Sequence, residues 1–197
     1  VAERTRAAKL VAGVIQAPGD SLVLRAEIID LSHPRKTQRV VEAGLGARPN
    51  EVLDRLGRRV AGALAYAFDP WMGEMEKASQ PLPSPPTIEA WREHRRGYEA
   101  YNRQDRAASF RHHMAAFALD SMLLRALVAA AYMAEDHQLK DSLARYADKR
   151  RNLLSRMGQL DLDILLAHVD NDLTGGLRLI REVARLEGGG FNSVLQA

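Results

Sequence analysis

Two short amphipathic stretches joined by a polar turn, Thr87 to Asp120, constrain the fold more than any other part of this 197-residue sequence. Before the turn, Ile88, Trp91, Tyr98 and Tyr101 recur at helical intervals; after it, Ala108, Phe110, Met114, Phe117 and Ala118 do the same. The turn, Asn102 to Asp105, is suited to end one helix and cap the next. Asp120 and Ser121 then restart the pattern as an N-cap pair. Further helices are predicted over 122–135, 138–153, 160–169 and 173–187, with Gly188-Gly189-Gly190 as a break and a short element begun by Phe191 to Ala197. A helix pair of this size cannot bury its apolar face alone, so stacked pairs are expected.

Upstream the period changes. Leu22, Leu24, Ala26 and Ile28 alternate with Val23, Arg25, Glu27 and Ile29, the mark of a half-buried strand. The run Lys9 to Gln16 and the turn Ala17-Pro18-Gly19-Asp20 make a hairpin with it, and Gln38 to Leu45 reads as a third strand beyond a turn at Ser32 to Arg35. A helix follows in which Val52, Leu53, Leu56, Val60, Leu64 and Phe68 form one stripe, with Asn50 as its N-cap. Asp69 to Pro86 carries Pro81, Pro83, Pro85 and Pro86 and reads as a stiff spacer, with Trp71 and Met72 tucked against a neighbour. The expected fold class is therefore α+β: a small three-stranded antiparallel unit over 1–68, a linker over 69–86 and an all-helical array over 87–197.

The helical part resembles the tetratricopeptide repeat, a helix–turn–helix unit with a period of about 34 residues. Gly97 stands at the small residue of the first helix, Ala116 at that of the second, and Ala118-Leu119-Asp120 at the closing segment, while Ser121 replaces the usual proline. One period on, Ala131 matches Gly97 and Ser155 matches Ser121; two periods on, Ala184 matches Ala116 and Gly189 matches Ser121. Arg150 and Leu165 depart from the pattern, where alanine and glycine are expected. The segment LVAGVIQAPGDSLVLRAEIIDLSHPRKTQRVVEAG, with the helix EVLDRLGRRVAGALAYAFDP, resembles the TolB-like or FlgO-like α/β domain. That domain precedes such repeats in bacterial membrane-anchored Ser/Thr kinases, adenylate cyclases and CadC-type regulators. The resemblance implies a sensory or scaffolding role and a place on the extracytoplasmic side of the bacterial inner membrane. The family's opening strand and helix have no counterpart here, so one sheet edge is expected to be open or covered by another chain. VAERTRAAKL has neither an initiator methionine nor an apolar signal core, and the sequence reads as the interior of a longer chain.

Composition narrows the chemistry. No cysteine is present, which removes disulfides and thiolate catalysis. A net charge of +3 is too small an excess to argue for nucleic acid, and no apolar run is long enough to span a bilayer. Kinase motifs are absent. His94 with His112-His113 is the one histidine group, but adjacent histidines on a helix point about 100° apart and share a metal poorly; a packing face is the expected role. Asp161, Asp163, Asp170 and Asp172 read as a solvated acidic face, and DNDLTGG lacks the order of a calcium loop. The basic triplets Arg35, Lys36, Arg39; Arg92, Arg95, Arg96; and Lys149, Arg150, Arg151 read as solvated faces. No cofactor or metal is expected.

The reading is a non-enzymatic module that binds a protein partner through the concave face of the repeats, with the open sheet edge as a further contact. Two rivals remain: a signalling segment that binds a small ligand, and an enzyme whose site carries no motif. In resembling repeats the first helix of each pair lines the groove. That implies Trp91, His94, Tyr98, Tyr101 and Asn102 from the first pair, Arg125, Val128, Tyr132, Glu135 and Asp136 from the second, and Gln159, Leu162, Leu166, Val169 and Asp170 from the third. His94 and Tyr98 stand where carboxylate-clamping members carry lysine and asparagine, so an aromatic, partly acidic groove is expected instead.

Overall fold

The structure, a computed structural model, describes residues 7–31, 37–68 and 85–186. Strands β1 (Lys9–Gln16), β2 (Ser21–Asp30) and β3 (Thr37–Leu45) form one antiparallel sheet in the order β1-β2-β3. The hairpin closes where the Ser21 N–H donates to Pro18 O at 3.2 Å. Alternation puts Leu24, Ala26 and Ile28 on one face of β2 with Val40 of β3, and all four are buried. Helix α1 (Pro49–Phe68) covers that face, packing Leu56, Val60, Ala63 and Leu64 over them. The helix starts at Pro49, where a missing N–H costs nothing and φ is preset. The expected cap Asn50 therefore lies within the first turn.

Among the described residues six more helices follow: α2 (Ile88–Asn102), α3 (Arg106–Leu119), α4 (Leu124–Met133), α5 (His137–Asp148), α6 (Arg156–Val169) and α7 (Leu173–Leu186), with a 3₁₀ turn at Arg151–Leu153. Short polar side chains start most of them by accepting a backbone N–H three residues on. Asp105 takes Ala108 N at 2.8 Å, Asp136 takes Leu139 N at 2.6 Å, Ser155 takes Gly158 N at 3.1 Å and Asp172 takes Gly175 N at 2.9 Å. Thr87 takes Ala90 N at 3.4 Å, so Thr87 caps α2 as Ser155 caps α6. The Ser155 cap draws the start of α6 four residues ahead of the expected Leu160. Helix α4 has no side-chain cap; it begins after Leu123, later than Asp120-Ser121 suggested.

Leu124, Leu127, Val128 and Ala131 of α4 meet Ala144 and Ala147 of α5 and Leu162 and Leu165 of α6 in the largest core cluster. Alanines at these contacts let the helix backbones approach closely. Helix α4 is apolar almost all round because it lies between neighbours on several sides.

The sheet unit touches the helices through α1. Tyr66 meets Trp91 edge-on, with ring centroids 5.2 Å apart. At Gly62 the chain before α2 comes so close that an added Cβ would lie 2.0 Å from the Pro86 carbonyl oxygen. Gly62→Ala must push backbone apart and is expected to lower stability by about 1–3 kcal/mol, the usual cost of overpacking; an unchanged denaturant midpoint would contradict this contact. Pro85 and Pro86 are buried. The turn over 32–35, residues 69–84 with Trp71 and Met72, and the glycine run with the segment after it lie outside the described residues.

Candidate functional site

Two polar constellations stand out, one at the start of α2 and one along it. The first joins it to the sheet. The Asp120 carboxylate at the C-terminus of α3 is 4% exposed. It accepts Thr87 N at 3.0 Å and Met122 N at 3.1 Å, and it pairs with Arg59 Nη1 at 2.9 Å. The same Arg59 Nη1 reaches Pro85 O at 2.8 Å while its Nε donates to Glu42 at 2.7 Å. Arg55 bonds Glu42 at 3.3 Å and the Ala43 carbonyl at 2.8 Å. One guanidinium thus links β3, α1, the start of α2 and the end of α3. A cleft of about 290 Å³ opens beside it, lined by Glu42, Arg55, Arg58, Thr87, Glu89 and Asp120 among others. Arg55 and Arg59 are already paired with Glu42 and Asp120; Arg58 is exposed.

The second constellation is an aromatic line along α2. Trp91 and His94 ring centroids are 5.7 Å apart, and His94 and Tyr98 4.8 Å. His113 of α3 completes it: its Nδ1 lies 3.0 Å from His94 Nδ1, and the two rings are 0% and 1% exposed for His94 and His113. Gly97 makes this possible, since a Cβ there would strike the His113 ring at 2.4 Å. An N–H···N bond needs one donor and one lone pair, so the two histidines cannot both be cations without breaking it. Burial pushes His94 well below its ordinary value, helped by the nearby His113 and Arg125 charges. Burial likewise pushes His113 down to about 4, with His112 and Arg125 adding to it. His94 Nε2 and Ser109 Oγ are buried without a hydrogen-bond partner. Outside the pair, His112 Nδ1 sits 2.8 Å from Glu93, whose carboxyl this bond holds below its usual range; Arg96 also bonds Glu93.

The residues expected to line a groove separate into three sets. Trp91, His94, Val128, Leu162 and Val169 are buried and fill the interior, so their side chains face no open groove. Tyr98, Arg125 and Tyr132 are partly covered and bridge α2 to α4 and α4 to α6: Arg125 Nε donates to Tyr98 Oη at 3.3 Å, and Tyr132 Oη donates to Asp161 O at 2.8 Å. Gln159 and Leu166 are also partly covered, and Gln159 donates to the Arg151 and Leu154 carbonyls at 3.3 Å. Burial raises the Tyr132 hydroxyl above its ordinary value. Tyr101, Asn102, Glu135, Asp136 and Asp170 are exposed, with Asp136 engaged as a cap. The Tyr98 hydroxyl of α2 thus touches α4, and the Tyr132 hydroxyl of α4 touches α6.

The acidic group is engaged in structure. Arg151 bonds Asp163 at 2.7 Å and Asp148, Arg145 bonds Asp170, and Asp172 caps α7. Among the described residues no group of three or more His, Asp or Glu side chains could hold a metal ion. Arg39 pairs with Glu27 at 2.9 Å, while Arg35 and Lys36 lie outside the described residues. Among the described residues no helix is long and apolar enough to cross a membrane.

Sequence reading did not find the Asp120–Arg59 link. The two residues are far apart in the chain, and nothing near either marks them; a buried aspartate is visible only once α1 is docked. No protein-family model, curated protein or solved structure matches this chain.

Proposed function

We propose that the chain is a non-enzymatic interaction module that holds a protein partner on the face shared by the first helices of its pairs, α2, α4 and α6. The observation that carries this reading is the bridging of successive first helices by Arg125–Tyr98 and Tyr132–Asp161, which lines them up as one surface. Tyr101, Asn102 and Glu135 are exposed beside those bridges, and aromatic side chains dominate interface energetics. Tyr98 and Tyr132 hold the bridges themselves, so neither serves as a test residue. The test is therefore the triple change Tyr101→Ala, Asn102→Ala, Glu135→Ala, followed by cross-linking mass spectrometry and affinity measurement on a partner recovered with the unaltered chain. Affinity is expected to fall by more than tenfold, about 1.4 kcal/mol, with melting unchanged. Equal affinity would remove the array face from consideration.

The cleft beside Arg59 supports a second reading, a sensory unit for a small ligand, as the resemblance to the TolB-like or FlgO-like domain implies. Native mass spectrometry of the purified chain tests it. A bound metabolite lost on Arg58→Ala supports it, and no added mass argues against it.

A further inference from the structure

Among the described residues strand β1 presents an unprotected edge. Leu10 and Val11 are each 45% exposed, Val14 57% and Ile15 73%. These side chains alternate between both faces of the strand, and the core under α1 is built on β2 and β3. The backbone phase is fixed by Leu31 N donating to Ala8 O at 3.1 Å. With the register Lys9↔Asp30 through Gln16↔Val23, alternation directs Ala8, Leu10, Ala12, Val14 and Gln16 to β2. It leaves the N–H and C=O groups of Lys9, Val11, Gly13 and Ile15 on the open side. Edge strands ordinarily carry a charge, a proline or a bulge that blocks pairing. From Leu10 to Gln16 there is none. The other edge, β3, does carry charges, Arg39 and Glu42.

We infer that the edge of β1 pairs antiparallel with the β1 edge of a second copy of this chain, making one six-stranded sheet about a two-fold axis.

Charge selects this occupant. The one charge in β1 is Lys9 at its first residue, already tied to Asp30 at 2.6 Å, so the edge offers no free charge for a charged peptide. Its complement is an uncharged apolar strand, and β1 itself is one. Antiparallel pairing sends the two Lys9 side chains to opposite ends, whereas parallel pairing would set like charges side by side. Like faces align only when the axis falls on a residue, and the central ones are Ala12 and Gly13, the smallest side chains of the strand, so nothing collides there. Such an interface is isologous and closes, which prevents growth into fibres. The inference is independent of the array reading: it concerns a different surface and a different partner.

Sedimentation velocity of the full chain over a micromolar to millimolar dilution series tests it. The expected result is a concentration-dependent species of twice the chain mass. Gly13→Pro removes an N–H that only the open edge uses, and Ile15→Lys puts a charge on that edge; each should return the chain to monomer with unchanged circular dichroism. Val41→Lys, on β3, should leave the dimer intact. A monomer at every concentration would overturn the inference. So would a dimer that survives both β1 changes, or one lost only on Val41→Lys.

Discussion

Asp120→Ala should lower the stability of the chain by about 3–5 kcal/mol, the cost of removing one partner from a buried ion pair. The carboxylate is 4% exposed and Arg59 18%, so solvent cannot replace what is lost. The deletion also strands Thr87 N and Met122 N, which Asp120 now satisfies. Asp120→Asn separates the two contributions. It keeps an acceptor for the backbone amides but removes the charge facing Arg59, and should cost less than alanine. Arg59→Met tests the converse. It removes the charge on the other side, leaves Asp120 with its amide donors, and keeps an apolar stem over the sheet. In urea unfolding the sheet unit and α2 should melt together in the unaltered protein, since Arg59 and Gly62 tie them. If Asp120→Ala changes the unfolding free energy by less than about 0.5 kcal/mol, the range of an ordinary surface change, the link has no energetic weight.

That this aspartate escaped a reading of the sequence shows where such reading stops. The strands were legible because a single buried face forces a period of two, and Leu24, Ala26 and Ile28 fall inward as that period requires. The helices were legible for the same reason at a different period, and the turn at Asn102 to Asp105 is where its polarity put it. Helix starts were less legible. Ser155 acts as a cap and Asp120 does not, although each is a short polar residue before an apolar run. The difference is tertiary: Arg59 and the Thr87 amide claim Asp120 from outside its own segment. The groove positions met a similar limit. Spacing places Trp91, His94 and Tyr98 on one side of α2, but not which neighbour covers that side. Helix α3 and Tyr66 cover it, so Trp91 and His94 became core while Tyr101, one turn beyond Tyr98, stayed exposed. Histidines on a packing face were expected. Their direct bond was not, because 19 residues across a turn do not say which faces meet.

That bond makes the chain acid-sensitive. Both histidines are buried, and both are held below the ordinary imidazole value, His113 at about 4. Unfolding frees them to bind protons near pH 6.5, so the unfolded state binds more protons throughout the interval between that value and the folded one. Stability therefore rises with pH in this window and is lost as pH falls from about 6.5 towards 4. A tenfold change in proton affinity is about 1.36 kcal/mol, so His113 alone contributes about 3 kcal/mol over the window. His94 acts in the same direction. Glu93 does not confuse the result at the upper end. Its folded value is lowered from 4.5, so its contribution is complete above that pH and is lost only below it. Arg125 from α4 opposes a proton on either ring, and His112 on α3 opposes one on His113. Urea midpoints between pH 7 and 5 should fall with a slope approaching two bound protons. In His94→Gln/His113→Gln that slope should vanish, whatever the variant's stability at neutral pH. A slope that persists in the double variant, or a flat profile in the unaltered chain, would show that these rings are not the groups that titrate on unfolding.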